Sequence, residues 1–116
     1  MSILAFFGAL GDELTYRVCL LIARYRLGVG ELAAALELAQ PRVSHKLAKL
    51  RRYGLVAHSR QGRRVSYRLS EPWRALLLQA DGAWREQSPE MALRWKADEA
   101  RLRKLLGTEL KQRAEA

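Results

Sequence analysis

The side chains best suited to chemistry in this sequence are cations and hydrogen-bond donors in one predicted helix, Gln40 to Tyr53. At 100° per residue, Val43, Leu47 and Leu50 share one face and are expected to point into the core. A helix whose other flanks are polar and basic fits the DNA major groove, where its side chains can reach base edges or phosphates. The candidates for DNA contact on this helix are Gln40, Arg42, Ser44, His45, Lys46 and Lys49.

A second group of cations falls in a predicted β-hairpin. Strands from Leu55 to Arg60 and from Arg63 to Leu69 flank a Gln-Gly pair, and Gly62 can adopt the positive φ of a tight turn. The hairpin tip carries Arg60, Arg63 and Arg64. A basic tip beside a basic helix matches two neighbouring surfaces of a DNA duplex, whereas the alternative is a basic surface that contacts only solvent.

Composition supports contact with a polyanion. The 116 residues contain 21 Lys and Arg against 12 Asp and Glu, a formal net charge of +9. The length suits a single domain, residues 1–116, and 49% apolar residues favour a globular chain over a disordered one. Neither a membrane span nor a signal peptide is predicted. With no Ser-His-Asp order and no glycine-rich phosphate loop, the sequence does not indicate an enzyme.

Apolar spacing predicts three helices before the basic one. The first spans Ile3–Leu10, and the second spans Leu14–Tyr25 with Asp12 as its N-cap. A third, short helix begins at Glu31. Short helix, link, helix and hairpin in this order predict an α+β, mostly α, winged helix-turn-helix fold with a two-stranded β-hairpin wing, whose DNA-binding core is residues 10–70.

The C-terminal third is predicted to form two more helices. One begins at Pro72, and the other begins at Ser88-Pro89-Glu90 with Ser88 as the cap. The tail from Gly107 to residue 116 is expected to fray. Three tryptophans, Trp73, Trp84 and Trp95, lie on these helices and form either a dimer core or an effector pocket between the helices. Asp98 interrupts the last apolar stripe and is either a polar partner in that space or exposed.

Cys19 is the only cysteine, so neither an intrachain disulfide nor a cysteine-rich zinc site can form. A reducing cytoplasm is the expected location. Cys19 is interpreted as a small buried hydrophobe, with an oxidisable sensor thiol as the alternative. His45 and His58 lack the neighbouring ligands of a chelate, so neither a metal site nor a cofactor is predicted.

Six short motifs follow one another along the predicted winged helix: Gly30-Glu31-Leu32-Ala33, Gln40-Pro41, Val43-Ser44, Leu47-Ala48-Lys49-Leu50-Arg51, Gly54-Leu55-Val56 and Gly62-Arg63-Arg64-Val65-Ser66-Tyr67-Arg68-Leu69. In this order they resemble a known family, the ArsR-type (arsenic-repressor) winged helix-turn-helix regulators, over Leu10 to Leu69. The resemblance implies a homodimeric repressor that leaves its operator when an inducer arrives, with helices 1–10 and 72–106 forming the dimer. For the dimer interface the candidates are Leu4, Phe7, Trp73, Leu77, Trp84 and Trp95.

The sequence departs from the family pattern at several places, among them Asp12-Glu13-Leu14-Thr15, where the family has acid-x-Thr-Arg. Ala39 replaces the usual serine N-cap of the recognition helix, and Lys46 stands where the family often has histidine. The Cys-x-Cys of metal-sensing members is Gly28-Val29-Gly30 here. Soft metal ions need several thiolates, so the resemblance without this motif implies a repressor that responds to a signal other than a metal.

The sequence therefore predicts a homodimeric, sequence-specific repressor of double-stranded DNA that acts on a pseudo-palindromic operator. Its releasing signal is unassigned, and a small-molecule effector is one candidate partner. Two alternatives stay open: a nucleoid-type protein that coats DNA without sequence preference, and a redox-sensing repressor that uses Cys19.

Overall fold

A computed structural model describes residues 1–114, which form helices around one antiparallel hairpin. The first four helices are α1 (Ile3–Leu10), α2 (Glu13–Arg24), α3 (Val29–Leu36) and α4 (Gln40–Arg52). The hairpin consists of β1 (Val56–Gln61) and β2 (Arg64–Leu69). The chain ends with α5 (Trp73–Gln87), α6 (Pro89–Leu106), a 3₁₀ turn (Gly107–Glu109) and α7 (Leu110–Arg113). The predicted fold class is confirmed, and no helix within these residues has the length and apolar character to cross a membrane.

The centre of the fold is α2, of which nine of the twelve residues are buried. The Asp12 carboxylate accepts a hydrogen bond from the Thr15 backbone N–H at 3.0 Å, which confirms the predicted N-cap. Val18 and Leu21 are fully buried, and α2 contacts α1, α3, α5, α6 and β2. Burial on several sides explains why the apolar residues of α2 exceed a single stripe.

The pair α3 and α4 forms the helix-turn-helix. Between them Glu37 adopts a left-handed conformation with φ 56°, and Ala39 begins α4 without a side-chain cap. Pro41 lies in the first turn of α4, where its missing N–H has no intrahelical partner to lose. Inward burial of Val43, Leu47 and Leu50 confirms the predicted core face of α4.

The hairpin turns at Gly62 and Arg63, with Gln61 paired to Arg64. Gly62 has φ 61°, which satisfies the tight turn as predicted. Leu27 adds a short antiparallel pairing to β2, with hydrogen bonds of 2.7 and 3.3 Å to Tyr67. The wing is therefore tied to the segment that joins α2 to α3.

The C-terminal part differs from the sequence prediction in two ways. Ser88 makes no side-chain capping bond at the start of α6. The predicted frayed tail is folded from Gly107 to Arg113: Leu110 is buried, and the Arg113 guanidinium is held by Glu31. The tail prediction is therefore wrong for these residues, because it overlooked an ion pair to a distant part of the chain. Residues 115–116 of that tail lie outside the described residues.

Candidate nucleic-acid interface

One continuous segment of the chain, which forms α4 and the wing, is strongly basic. The 31 residues from Gln40 to Ser70, which include all of α4 and both wing strands, contain nine Lys or Arg and no Asp or Glu. A surface of one sign attracts a polyanion and neutralises phosphates when it binds. The helix-turn-helix places this charge on a helix of the size that enters a major groove.

The polar flank of α4 is accessible to a ligand as large as DNA. Burial of the opposite face of α4 leaves five of the six predicted contact residues of α4 exposed: Gln40, Arg42, Ser44, His45 and Lys49. Within residues 1–114, Arg42 and Lys49 form no ion pair, so their charges remain available for phosphates.

Lys46 differs from its neighbours on α4. Its Nζ lies 3.0 Å from Oδ2 of Asp12, and its side chain is 21% exposed. Hydrogen bonds from Thr15 and Lys46 lower the pKa of Asp12 to about 2. The contact joins α4 to the start of α2, so Lys46 is oriented toward the protein rather than freely toward a base.

The three arginines of the wing differ in whether they form ion pairs. Arg60 and Arg63 are exposed and form no ion pair within residues 1–114. Arg64 instead lies 3.2 Å from Glu31 and 3.9 Å from Glu109. The free charge at the wing is therefore carried by Arg60 and Arg63, while Arg64 ties the wing to α3 and the C-terminal turn.

Sequence reasoning missed a buried ion-pair cluster between α2, α3 and α6. Asp98 of α6 is 1% exposed and accepts hydrogen bonds from Arg17 at 2.8 and 3.0 Å and from Arg101 at 2.7 Å. The same guanidinium groups donate to carbonyls at the end of α3, Arg17 to Leu36 at 3.4 Å and Arg101 to Ala35 at 2.6 Å. The cluster thus caps α3 immediately before the turn that leads into α4.

A second buried carboxylate lies between α2 and α5. Asp81 is fully buried and accepts hydrogen bonds from Tyr16 at 3.2 Å and Arg24 at 2.8 Å, with Arg85 at 2.9 Å. The guanidinium groups of Arg24 and Arg85 also lie 5.2 and 5.9 Å from the ring centroid of Trp95, within cation–π range. Both aspartates face the core side of their helices. For Asp98 the sequence showed this only as an interrupted apolar stripe.

The predicted interface residues do not form one exposed surface. Leu4 and Phe7 are 80% and 47% exposed, and Trp73 and Trp84 are half-buried. Leu77 is fully buried and Trp95 is 7% exposed, because both pack into the core of their own chain. Of the six predicted interface residues, Leu77 and Trp95 therefore expose the least surface to a partner, and Leu4 and Phe7 expose more.

The predicted effector pocket lined by all three tryptophans is not formed in this structure. Of the three tryptophans, Trp84 lines an open cleft, Trp73 stacks on Phe6 at 4.8 Å, and Trp95 lies beneath the two guanidinium groups. The three rings therefore do not share one pocket.

Cys19 lies in the core of α2 with no solvent exposure, and burial raises the pKa of its thiol to about 12. Reaction with oxidants requires the thiolate and access to it, so the redox-sensing alternative has neither in this fold. Within residues 1–114, no three His, Cys, Asp or Glu side chains are grouped to hold a metal ion. Gly28-Val29-Gly30, in place of the family's thiol motif, forms the start of α3.

An exposed recognition helix and an arginine-tipped wing, both within a segment that has nine cations and no acid, define a winged helix-turn-helix DNA-binding protein. A profile described as "Bacterial regulatory protein, arsR family" matches residues 18–58. The arsenical resistance operon repressor of Escherichia coli is 39% identical over 92 residues, which cover 75% of this chain and 77% of that protein. The chain belongs to the ArsR family, whose members are transcriptional regulators and not enzymes.

Two further similarities agree with this assignment. The arsenic resistance transcriptional regulator ArsR1 of Pseudomonas putida is 48% identical over 64 residues, 54% of this chain, and the chain spans about half (50%) of that relative's length. The crystal structure of the AntR antimony-specific transcriptional repressor superposes with a TM-score of 0.65 at 25% identity, covering 76% of this chain and 80% of that one.

Proposed function

We propose that the protein is a transcriptional repressor that binds an operator in double-stranded DNA as a homodimer. The observation that carries the proposal is that residues 40–70, which form an exposed α4 and the wing, contain nine Lys or Arg and no Asp or Glu. The repressors named among its relatives agree with this role.

In this proposal the N-terminal half of α4 reads sequence in the major groove. Gln40, Ser44 and His45 can exchange hydrogen bonds with base edges, and Arg42 and Lys49 neutralise phosphates beside them. Arg60 and Arg63 of the wing contact the adjacent backbone. Lys46 fixes the orientation of α4 through Asp12 and does not itself read a base.

A second copy of the chain is the partner proposed for α1. Ile3, Leu4 and Phe7 expose apolar surface on one short helix, which costs free energy in water. A two-fold dimer would present two copies of α4 to half-sites one helical turn apart, about 34 Å, which matches a pseudo-palindrome.

The releasing signal is proposed to be neither a metal nor a metalloid. The names of the similar proteins refer to arsenic and antimony, but such soft ions are held by several thiolates. This chain has one cysteine, and its thiol is buried. We therefore propose that the releasing signal acts at a site other than Cys19.

The test is a gel-shift comparison between DNA from upstream of the protein's own gene and random DNA at 150 mM salt. Gln40→Ala and Ser44→Ala should each weaken binding to the upstream DNA alone, by about 1–3 kcal/mol. Arg63→Ala should weaken binding to both DNAs and lower the salt slope by about one. Lys96→Ala, which removes an exposed cation from α6, is the matched control and should change neither.

Equal affinity of the wild type for the two DNAs would defeat the operator proposal and favour the non-specific, nucleoid-type alternative. Gln40→Ala would then have the same effect on both DNAs, since no base would be read at that position.

A further inference from the structure

The wing arginine Arg64 contacts two carboxylates, Glu31 and Glu109, that lie outside the basic segment of residues 40–70. We propose that Glu109, at the end of the 3₁₀ turn, neutralises Arg64 and withholds this cation from the DNA backbone, so that Glu109 limits the affinity of the protein for DNA. The inference rests on the DNA binding of the proposed function, but it does not depend on recognition of a particular operator.

Four side chains form a group of ion pairs between the wing, α3 and the C-terminal turn. Glu31 accepts two hydrogen bonds from Arg113, at 2.7 and 2.8 Å, and Glu109 accepts one from the same guanidinium at 2.9 Å. Arg64 lies 3.2 Å from Glu31 and 3.9 Å from Glu109. The charges of two acids and two arginines sum to zero, so this group offers a phosphate little net attraction.

Arg64 is the more loosely held of the two arginines. Its side chain is 48% exposed, whereas that of Arg113 is 10% exposed. Without Arg64, the Glu31 carboxylate would still accept both hydrogen bonds from Arg113 and one from the Gly28 N–H at 2.9 Å. Because exposed ion pairs are worth little in water, a backbone phosphate can compete with Glu31 for Arg64.

The charge of Glu109 determines whether this exchange is favourable. If Arg64 moved to DNA, Glu31 and Glu109 would share only Arg113, and the group would carry one negative charge close to the DNA backbone. Without the charge of Glu109, the two arginines would face one acid, and one positive charge would be left for a phosphate. We therefore expect Arg64 to contact DNA only when Glu109 is neutral or displaced.

The fold holds Glu109 in its place beside the wing. Leu110, the next residue, is buried, and the Arg26 N–H donates a hydrogen bond to the Arg113 carbonyl at 2.7 Å. Arg26 belongs to the segment between α2 and α3 that also pairs with β2 of the wing. Backbone contacts on both sides of this segment thus keep the C-terminal turn close to the wing.

Glu109→Gln tests the proposal, because glutamine keeps the shape of the side chain and removes its charge. The full chain is titrated with upstream DNA and with random DNA between about 50 and 200 mM salt, and binding is followed by fluorescence anisotropy. The slope of log K against log salt should become steeper than that of the wild type by about 0.9, the value of one more phosphate contact. Affinity for both DNAs at about 150 mM salt should rise about fivefold, since Arg64 would contact the backbone and no base.

A double variant traces the effect to Arg64. In Glu109→Gln/Arg64→Ala the slope should return to the wild-type value, and Arg64→Ala alone should leave the slope unchanged. Glu90→Gln is the matched control, since it removes an exposed acid of α6 and changes the net charge equally, and it should alter neither slope nor affinity. Circular dichroism checks folding, and Glu109→Ala, for which we expect the same slope, takes the place of Glu109→Gln if that variant does not fold.

Three results would overturn the proposal. An unchanged slope in Glu109→Gln would show that Arg64 is not withheld, and an equal rise in Glu90→Gln would trace the effect to net charge alone. Weaker DNA binding by Glu109→Gln would mean that the C-terminal turn supports the wing instead of restraining it.

The proposed function fails by a different result. If the wild type binds upstream and random DNA equally while Glu109→Gln steepens the slope on both, only operator recognition is refuted. If the wild type prefers the upstream DNA and Glu109→Gln leaves the slope unchanged, only the restraint by Glu109 is refuted.

Discussion

Arg113 of α7 and Glu31 of α3 are joined by two hydrogen bonds of 2.7 and 2.8 Å, although 82 positions separate them in the chain. The same carboxylate accepts a hydrogen bond from the Gly28 N–H at 2.9 Å and lies 3.2 Å from Arg64 of the wing. One acid therefore links the start of the helix-turn-helix, the wing and the C-terminal turn.

Removing the charge of Glu31 should destabilise the protein. Glu31→Gln can still accept the hydrogen bond from Gly28, but it leaves the Arg113 guanidinium, only 10% exposed, without its main counter-charge. A loss of about 2 kcal/mol is expected, less than for a fully buried pair because Glu31 is itself 20% exposed. Urea unfolding measures it, with Glu86→Gln, an exposed acid of α5, as the control. Equal free energies of unfolding for the two variants would show that the charge of Glu31, and with it the ion pair to the C-terminal turn, contributes nothing to stability.

Removing the charge of the buried Asp98 should lower the free energy of unfolding by more than removing that of Glu31. Asp98→Asn would leave the guanidinium groups of Arg17 and Arg101 without their shared carboxylate, so the free energy of unfolding should fall by about 3–5 kcal/mol. Because both arginines also cap α3, amide exchange should accelerate in the turn from Glu37 to Ala39 more than in the wing. Glu90→Gln, at an exposed position of α6, serves as the control. Uniform acceleration across the chain would contradict the local capping role.

These two ion pairs mark the limit of sequence-based prediction for this protein. Local patterns predicted the helices, the Asp12 cap and the Gly62 turn, since each depends on neighbours within a few residues. Arg17 lies 81 positions from Asp98, and Glu31 lies 82 positions from Arg113, so no local period reveals these two pairings. The same reason explains why Lys46 was assigned to DNA: its contact with Asp12 crosses from one helix to another.

The charge on Asp12 should stabilise the fold in a defined pH window. The pKa of Asp12 is lowered from the ordinary 3.8 to about 2, so its ionised form is favoured in the folded state. That contribution is present above about pH 4 and is lost as the pH falls through 2. Because the side chain is half exposed, solvent screening limits it to about 1 kcal/mol.

Asp12→Asn isolates this effect, since asparagine is also a good N-cap. Urea unfolding should show the wild type more stable than Asp12→Asn at pH 7, with the difference vanishing near pH 2. A difference that persists at pH 2 would mean that packing, and not the charge, is responsible.

Cys19 should be inert in the folded protein. Because burial raises the pKa of its thiol to about 12, an aromatic disulfide reagent should react only as fast as the chain unfolds. The unfolded thiol ionises near 9, so the wild type should lose stability relative to Cys19→Ala as the pH rises from 9 toward 12. Peroxide treatment should leave DNA binding unchanged in both Cys19→Ala and the wild type. Rapid labelling of native protein would restore the redox-sensing alternative.

The exposed face of α1 should decide self-association. Leu4→Glu places a charge where a second copy is proposed to bury an 80% exposed leucine, so sedimentation should shift from dimer toward monomer. Leu93→Glu makes the same change on α6, at a leucine that is 69% exposed, and should leave the dimer intact. Both variants should keep the wild-type unfolding midpoint when compared as monomers, since neither side chain contributes to the core. Dissociation by Leu93→Glu and not by Leu4→Glu would move the interface from α1 to α6, and with it the geometry that sets the two recognition helices one turn of DNA apart.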